Sequence, residues 1–294
     1  MSSAGSYDEK ADAKDAAGVV VSEIGGKHPH VAFSGAQVDT AAQLVAGQEF
    51  ELDPQEALRI RKKIDWHILP LMCMLYWVQF MDKTTLGSSS ILGIRQFISA
   101  NTVSRRADSR RRYNWLGTIF YLSYLVFEYP QNLALQRFPV GKWMSINIFI
   151  WGIALCCHAA CVNFAGLFVV RLILGMCEGS ITAGFMIVSS MFYTRTEQTL
   201  RVGYWFLMNG TAQIISGFIS FGALHIHTPN FEPWQWLMII TGAITLCNAT
   251  AYWFLFPDSP TTAWFLTPDE RAKAVQRIKE NQTGVENKHF KPEQ

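Results

Sequence analysis

Long apolar runs separated by short polar breaks organise this chain. Three of them, 143–161, 202–224 and 234–256, contain no Asp, Glu, Lys or Arg. Each reaches the ~20 residues that a helix needs to cross a bilayer. Three more keep isolated charges: 68–92 holds Asp82 and Lys83, 115–135 holds Glu128, and 167–188 holds Arg171 and Glu178. All six are expected to be helices, because an open sheet leaves backbone groups unpaired in lipid. The pattern therefore predicts an all-α membrane protein, a six-helix transmembrane bundle over 59–256. Ahead of it, 1–58 is rich in Ala, Gly, Ser and Asp, has no signal-peptide pattern, and predicts a disordered tail. Asp53-Pro54 supplies an N-cap and first-turn proline for a short helix through 59–65. Behind the bundle, 257–294 predicts a loop in which Thr267-Pro268-Asp269-Glu270 is a capping box opening a surface helix.

Loop charge sets the orientation. Arg59, Arg61, Lys62 and Lys63 precede the first span, Arg137 and Lys142 separate the second from the third, and Arg195 and Arg201 separate the fourth from the fifth. Arg271, Lys273, Arg277 and Lys279 follow the sixth, whereas 225–233 holds neither Lys nor Arg. Positive loops stay inside, so both termini are expected in the cytoplasm, with the plasma membrane as the expected location. Residues 95–112 break the rule, with Arg95, Arg105, Arg106, Arg110, Arg111 and Arg112 against Asp108 in what should be an outer loop. The stretch shows neither helical nor strand periodicity. It reads either as a real basic loop or, preferred here, as an insert foreign to the fold, such as retained intron sequence.

Only 16% of residues are charged, below the ~25% of soluble domains, and the net charge of +2 indicates no nucleic-acid partner. The six cysteines all fall in predicted spans, without a CxxC pair. Cys157 and Cys161 with His158 have the look of ligands but fit small buried hydrophobes better, and no metal or cofactor is expected.

Charge at bilayer depth is the chemical signal. Arg171 and Glu178 lie seven residues apart, on one helix face and about 10 Å apart along the axis. Gly175, Gly179 and Ala183 form an i, i+4 row that admits a close neighbour. A buried cation and acid on a tightly packed helix suggest anion binding and proton movement; the structural alternative is an internal ion pair. Asn209, Gln213, Ser216 and Ser220 form a polar stripe on the fifth span, one turn after Trp205, either lining a solute path or bonding to neighbouring helices. Gly203, Gly210 and Gly217 make an adjacent groove. Tyr121, Tyr124, Glu128 and Gln131 share a face of the second span, where Pro130 weakens the helix ladder.

On these residues the chain resembles the major facilitator superfamily, and within it the anion:cation symporters of the allantoate permease type. Arg171-Leu-Ile-Leu-Gly175-Met-Cys-Glu178-Gly179 is similar to the fourth-helix motif, and 132–142 (NLALQRFPVGK) to the loop between helices two and three. Gln136 stands there for the usual Asp, and Asn132 for the first Gly. Tyr113-Asn114-Trp115-Leu116-Gly117-Thr118 and Phe256-Pro257-Asp258-Ser259-Pro260 are also branch-like. The resemblance implies twelve spans in two halves with the substrate between them, of which this chain holds the N-terminal half. It implies proton-coupled symport of a small organic anion, allantoate- or vitamin-like. Arg171, Trp205, Asn209, Gln213 and Lys83 are the expected substrate contacts, and Glu178 and Asp82 the proton-coupling acids. Gln136, Arg137, Gly141 and Lys142 form the expected gating loop. The expected partners are the anion, the proton, the bilayer, and a missing C-terminal half or a second copy. A non-transporting or regulatory half is the alternative. A rhomboid-like protease is disfavoured, because Gly179-Ser180 lacks the nucleophile motif and 234–256 has no His.

Overall fold

The computed structural model describes residues 53–100, 106–226, 228–229 and 231–279, plus a two-residue antiparallel pairing of Val20–Val21 with Val31–Ala32. The tail expected over 1–58 otherwise lies outside the described residues up to Asp53. Its last residues are helical: Asp53 accepts a hydrogen bond from the Gln55 N–H and caps α1, Pro54–Ile91. The short helix expected ahead of the first span is thus continuous with it. Thirty-eight residues span about 57 Å, well beyond the ~30 Å hydrocarbon layer, so α1 projects from the membrane. One buried row explains its course. Ile60, Ile64, Ile68, Met72 and Leu75 give way along the same face to Gln79, Asp82, Thr85 and Ser89. The helix is apolar glue in its first half and a polar wall in its second.

The remaining helices are α2 (Ile94–Ala100), α3 (Arg106–Arg137), α4 (Val140–Ala160), α5 (Phe164–Phe192), α6 (Arg195–Leu224), α7 (Pro233–Leu255) and α8 (Pro268–Lys279). Six long helices make the bundle. Of these, α4, α5, α6 and α7 are long and apolar enough to cross a membrane on length and composition alone. The polar residues of α1 and α3 keep those two below that mark. Three pairings dominate: α1 with α6, α3 with α5, and α4 with α7.

The α3–α5 contact is set by Gly175. A Cβ there would lie 2.2 Å from Ser123 Oγ and 2.3 Å from the Phe120 carbonyl oxygen, so only glycine permits this crossing. Helix α3 passes through Pro130 without ending.

The Arg-rich segment holds regular structure that its sequence does not display. Residues 94–100 and 106–112 are helical, belonging to α2 and the start of α3. Ile94 and Ile98 are an i, i+4 pair that is fully buried, Phe97 meets the Trp234 ring, and Arg95 lies over the Tyr113 ring. That short apolar row was hidden among the arginines. Arg105 lies outside the described residues.

At the end where α1 begins, α8 is fastened by ion pairs. Lys63 Nζ donates to Glu270 (2.6 Å), Lys273 pairs with Glu56, and Arg277 pairs with Glu197 and donates to the Phe192 carbonyl. The capping box forms as expected: Glu270 accepts from the Thr267 N–H, and Thr267 Oγ1 accepts from the Glu270 N–H.

Candidate functional site

The polar half of α1 faces α4 and α5, and the charges meet there. Asp82 is buried and accepts from Trp151 Nε1 on α4 (2.9 Å) and from Thr85 Oγ1 (3.0 Å). Lys83, half-buried, holds its ammonium 5.2 Å from the Phe80 ring and 5.8 Å from the Tyr124 ring of α3. On α5, Arg171 and Glu178 are buried to 3% and 0% exposure. The charged neighbours of Glu178 are Asp82, Lys83 and Arg171. Those of Arg171 are Asp82 and Glu178.

What this cluster lacks is pairing. Arg171 Nε and Nη2, and both carboxylate oxygens of Glu178, are buried without a hydrogen-bond partner. No ion pair joins the two residues, so the packing-only pair considered from the sequence does not form. The carboxyls of Asp82 and Glu178 are neighbours, yet without a well-formed hydrogen bond. Leaving a buried polar group unsatisfied costs ~1–3 kcal/mol, and more when it is charged. Four such atoms on two side chains make this cluster the candidate site.

Two further side chains join them that the sequence did not single out for this role. Gln79, one turn before Asp82, has both Nε2 and Oε1 buried and unpartnered. His158 on α4 donates Nδ1–H to the Ala154 carbonyl (2.9 Å), which leaves a buried, unpartnered Nε2 and Arg171 as its charged neighbour. Gln79 sits in an apolar run with no motif around it. His158 is fully buried, and in sequence its place beside Cys157 and Cys161 masks this role.

The α6 stripe divides. Ser216 bonds Thr84 of α1 (2.8 Å), Asn209 Oδ1 and Ser220 Oγ are buried and unpartnered, and Gln213 is exposed. Trp205 packs at 1% exposure among Tyr76, Phe185 and Phe206. Gln131 of α3 is drawn into packing, donating to Asn147 and Met176 and accepting from Trp143 Nε1. Tyr121 is exposed and Glu128 half-buried.

At the C-terminal end of α3, Gln136 and Arg137 are exposed. Gly141 and Lys142 are held by Asp258, beyond α7: its Oδ1 accepts the Lys142 N–H (3.0 Å) and would sit 2.8 Å from a Cβ at Gly141. Asp258 thus sets a carboxylate at the first turn of α4.

Comparison with known proteins agrees with this architecture. Residues 72–291 match the family model of the Major Facilitator Superfamily. The chain is 37% identical over 257 residues to a thiamine pathway transporter of Saccharomyces cerevisiae, covering 85% of this chain and 46% of that protein. It is 33% identical over 278 residues to the allantoate permease of the same yeast, covering 92% of this chain and 50% of that protein. The chain thus spans about half the length of these relatives. A bacterial homolog of the human lysosomal transporter Spinster, solved inward-facing and unoccupied, shares the fold. Its TM-score is 0.54 at 17% identity, over 68% of this chain and 44% of that one. The six-helix bundle, its buried charges and the matched family model lead to one assignment: the chain belongs to the major facilitator superfamily of membrane transporters.

Proposed function

We propose that this chain forms half of a proton-coupled transporter of a small organic anion. The observation that carries the reading is the empty edge of Arg171. Elsewhere in the same molecule, Arg201 uses Nε and Nη2 to grip the Asp65 carboxylate at 3.1 and 2.6 Å. Arg171 holds the same two donors buried and unpaired. A planar fork of this kind matches a carboxylate in two-point contact. The substrate carboxylate docks on that edge, and Lys83 adds a second positive charge.

Glu178 supplies the coupling. Unpaired and buried, its carboxylate is costly, and a proton removes the charge. Asp82, held by Trp151 and Thr85, keeps that proton local. Binding of an anion beside Glu178 and arrival of a proton on it are thereby linked, which is what symport requires. The allantoate permease relative is named for a carboxylate of this class. The turn of Gln136, Arg137, Gly141 and Lys142 acts as the gate, with Asp258 fixing its second strand of contacts. The basic loops support a cytoplasmic position for both termini.

A second body must close the path. Gln213 and the apolar face of α6 around it, Phe206, Leu207, Ile214 and Phe218, are exposed. A complementary six-helix half, or a second copy, covers that face. The test is uptake of labelled carboxylates by proteoliposomes holding this chain with a complementary half, under an imposed pH gradient. Accumulation that follows the gradient and disappears in Glu178→Gln supports the reading. Accumulation of neutral or cationic solutes but no carboxylate overturns it.

A further inference from the structure

Away from the charged cluster, α4 and α7 leave an outward-facing groove of about 270 Å³. It is lined by Ser145, Ile146, Phe149, Ala249, Thr250 and Trp253. Its two hydroxyls are already used: Ser145 donates to the Gly141 carbonyl and Thr250 to the Leu246 carbonyl. The interior is therefore almost entirely apolar. Against the ~30 Å³ that a water occupies in the liquid, it has room for a length of hydrocarbon chain.

Depth and charge narrow the occupant. The lining residues of α4 lie between its sixth and tenth positions, about 8–14 Å from its first residue. Those of α7 lie in its last two turns. The groove therefore sits in the leaflet nearest the gate turn rather than at mid-membrane. Its rim carries a cation: Lys142 Nζ donates to the Trp253 carbonyl (2.6 Å) and lies 4.5 Å from the centroid of the Trp253 ring. Arg137, five residues earlier in the chain, is exposed. Asp258 is the neighbouring acid, and it is occupied by the Lys142 N–H. An ammonium keeps two donors after its bond to the carbonyl. An apolar slot below a fixed cation matches one class of molecule, a lipid with a hydrocarbon chain and an anionic head.

We propose that the α4–α7 groove is a binding site for an anionic phospholipid, with one acyl chain in the groove and the phosphate on Lys142. Because Lys142 belongs to the gate turn, the lipid is positioned to bias that turn. The site does not depend on the transport reading, and it is testable without transport.

The probe is brominated phosphatidylglycerol titrated into nanodiscs of phosphatidylcholine holding the full 294-residue chain. Brominated phosphatidylcholine is the matched control. The tryptophan signal of interest is the part lost in Trp253→Phe. That part should be quenched by the anionic lipid at about fivefold lower mole fraction than by the zwitterionic one, the preference that one basic residue near the surface supplies. Lys142→Gln should bring the two curves together, and Lys142→Arg should keep them apart. Thr250→Phe, which fills the groove, should abolish saturable quenching by either lipid. Coincident curves for the two lipids in the unaltered chain would overturn the proposal without any variant. So would an unchanged preference in Lys142→Gln.

Discussion

Gln79, Arg171 and Glu178 are three buried polar side chains that a stability argument alone would remove. Replacing a buried unpaired polar group by an apolar one of similar shape is neutral or stabilising, whereas removing a paired one destabilises. This gives a test that separates function from packing. Gln79→Met should leave thermal stability unchanged or raise it, by up to about 1 kcal/mol. The same change should weaken solute binding, measured by the concentration dependence of uptake. A clear loss of stability would show that Gln79 has a structural partner. Arg171→Lys keeps the charge and removes the planar fork, so affinity for a carboxylate should fall at least about tenfold, on the scale of one charge-assisted hydrogen bond. Undiminished affinity in that variant would make Arg171 a packing residue. Of the site, the sequence displayed Asp82, Lys83, Arg171 and Glu178, since a charge inside an apolar run is visible without coordinates. Gln79 and Trp151 were not visible. Their roles come from which α1 residue meets which α4 residue, and that depends on the register between helices 69 positions apart.

Helix packing was legible wherever it leaves a periodic trace and opaque where it does not. The three charge-free runs became α4, α6 and α7 with their ends shifted by a few residues, and the small-residue row of 175–183 did prove to be a helix contact. The helices of the Arg-rich segment were illegible because only three apolar residues, Ile94, Phe97 and Ile98, carry packing there. Two tests belong at this scale. Gly175→Ala should destabilise the bundle by ~1–3 kcal/mol, because the added Cβ meets backbone of α3 that has little freedom to yield. Gly203→Ala is the control: nothing lies within 4 Å of a Cβ there, so thermal unfolding should be unchanged or slightly delayed. The docking of α8 should depend on pH. Burial alone would raise the Glu270 carboxyl, but the hydrogen bond from Lys63, the Thr267 N–H and the Lys63 charge together hold it below the usual carboxylate range. A lowered folded-state value means the contribution is fully present above the ordinary glutamate range and is lost as pH falls through the lowered one. The hydrogen-exchange protection of α8, taken relative to the intrinsic exchange rate at each pH, should therefore fall in acid, below the pH where free glutamate protonates. In Glu270→Gln that protection should already be low at neutral pH. Equal exchange in the two proteins would show that the ion pair does not fasten the helix.

At the scale of the whole molecule the six helices have one unfinished side. Helix α6 buries little of its length in the bundle. Asn209 and Ser220 keep unpartnered oxygens there, Gln213 is exposed, and Gly203, Gly210 and Gly217 are all open. Helix α3 adds Tyr121, Leu125 and Tyr129 to the exposed surface. Apolar residues tolerate lipid, but the exposed Gln213 amide does not, since the bilayer core offers it no hydrogen bonds. The α6 face is therefore suited to a water-lined path whose opposite wall is protein. We predict that the 294-residue chain, expressed alone, inserts in the membrane and accumulates no solute. We also predict that it self-associates through α3 and α6. Cysteines placed at Gln213 should cross-link between copies, and cysteines placed at Phe254, exposed on α7, should not. Co-expression of a complementary six-helix half should suppress that cross-link and bring uptake with it. Saturable, gradient-driven accumulation by the chain alone, in proteoliposomes where no other transporter is present, would defeat the prediction. It would mean that two copies of Arg171 and Glu178, related by symmetry, make a working path without a distinct second half.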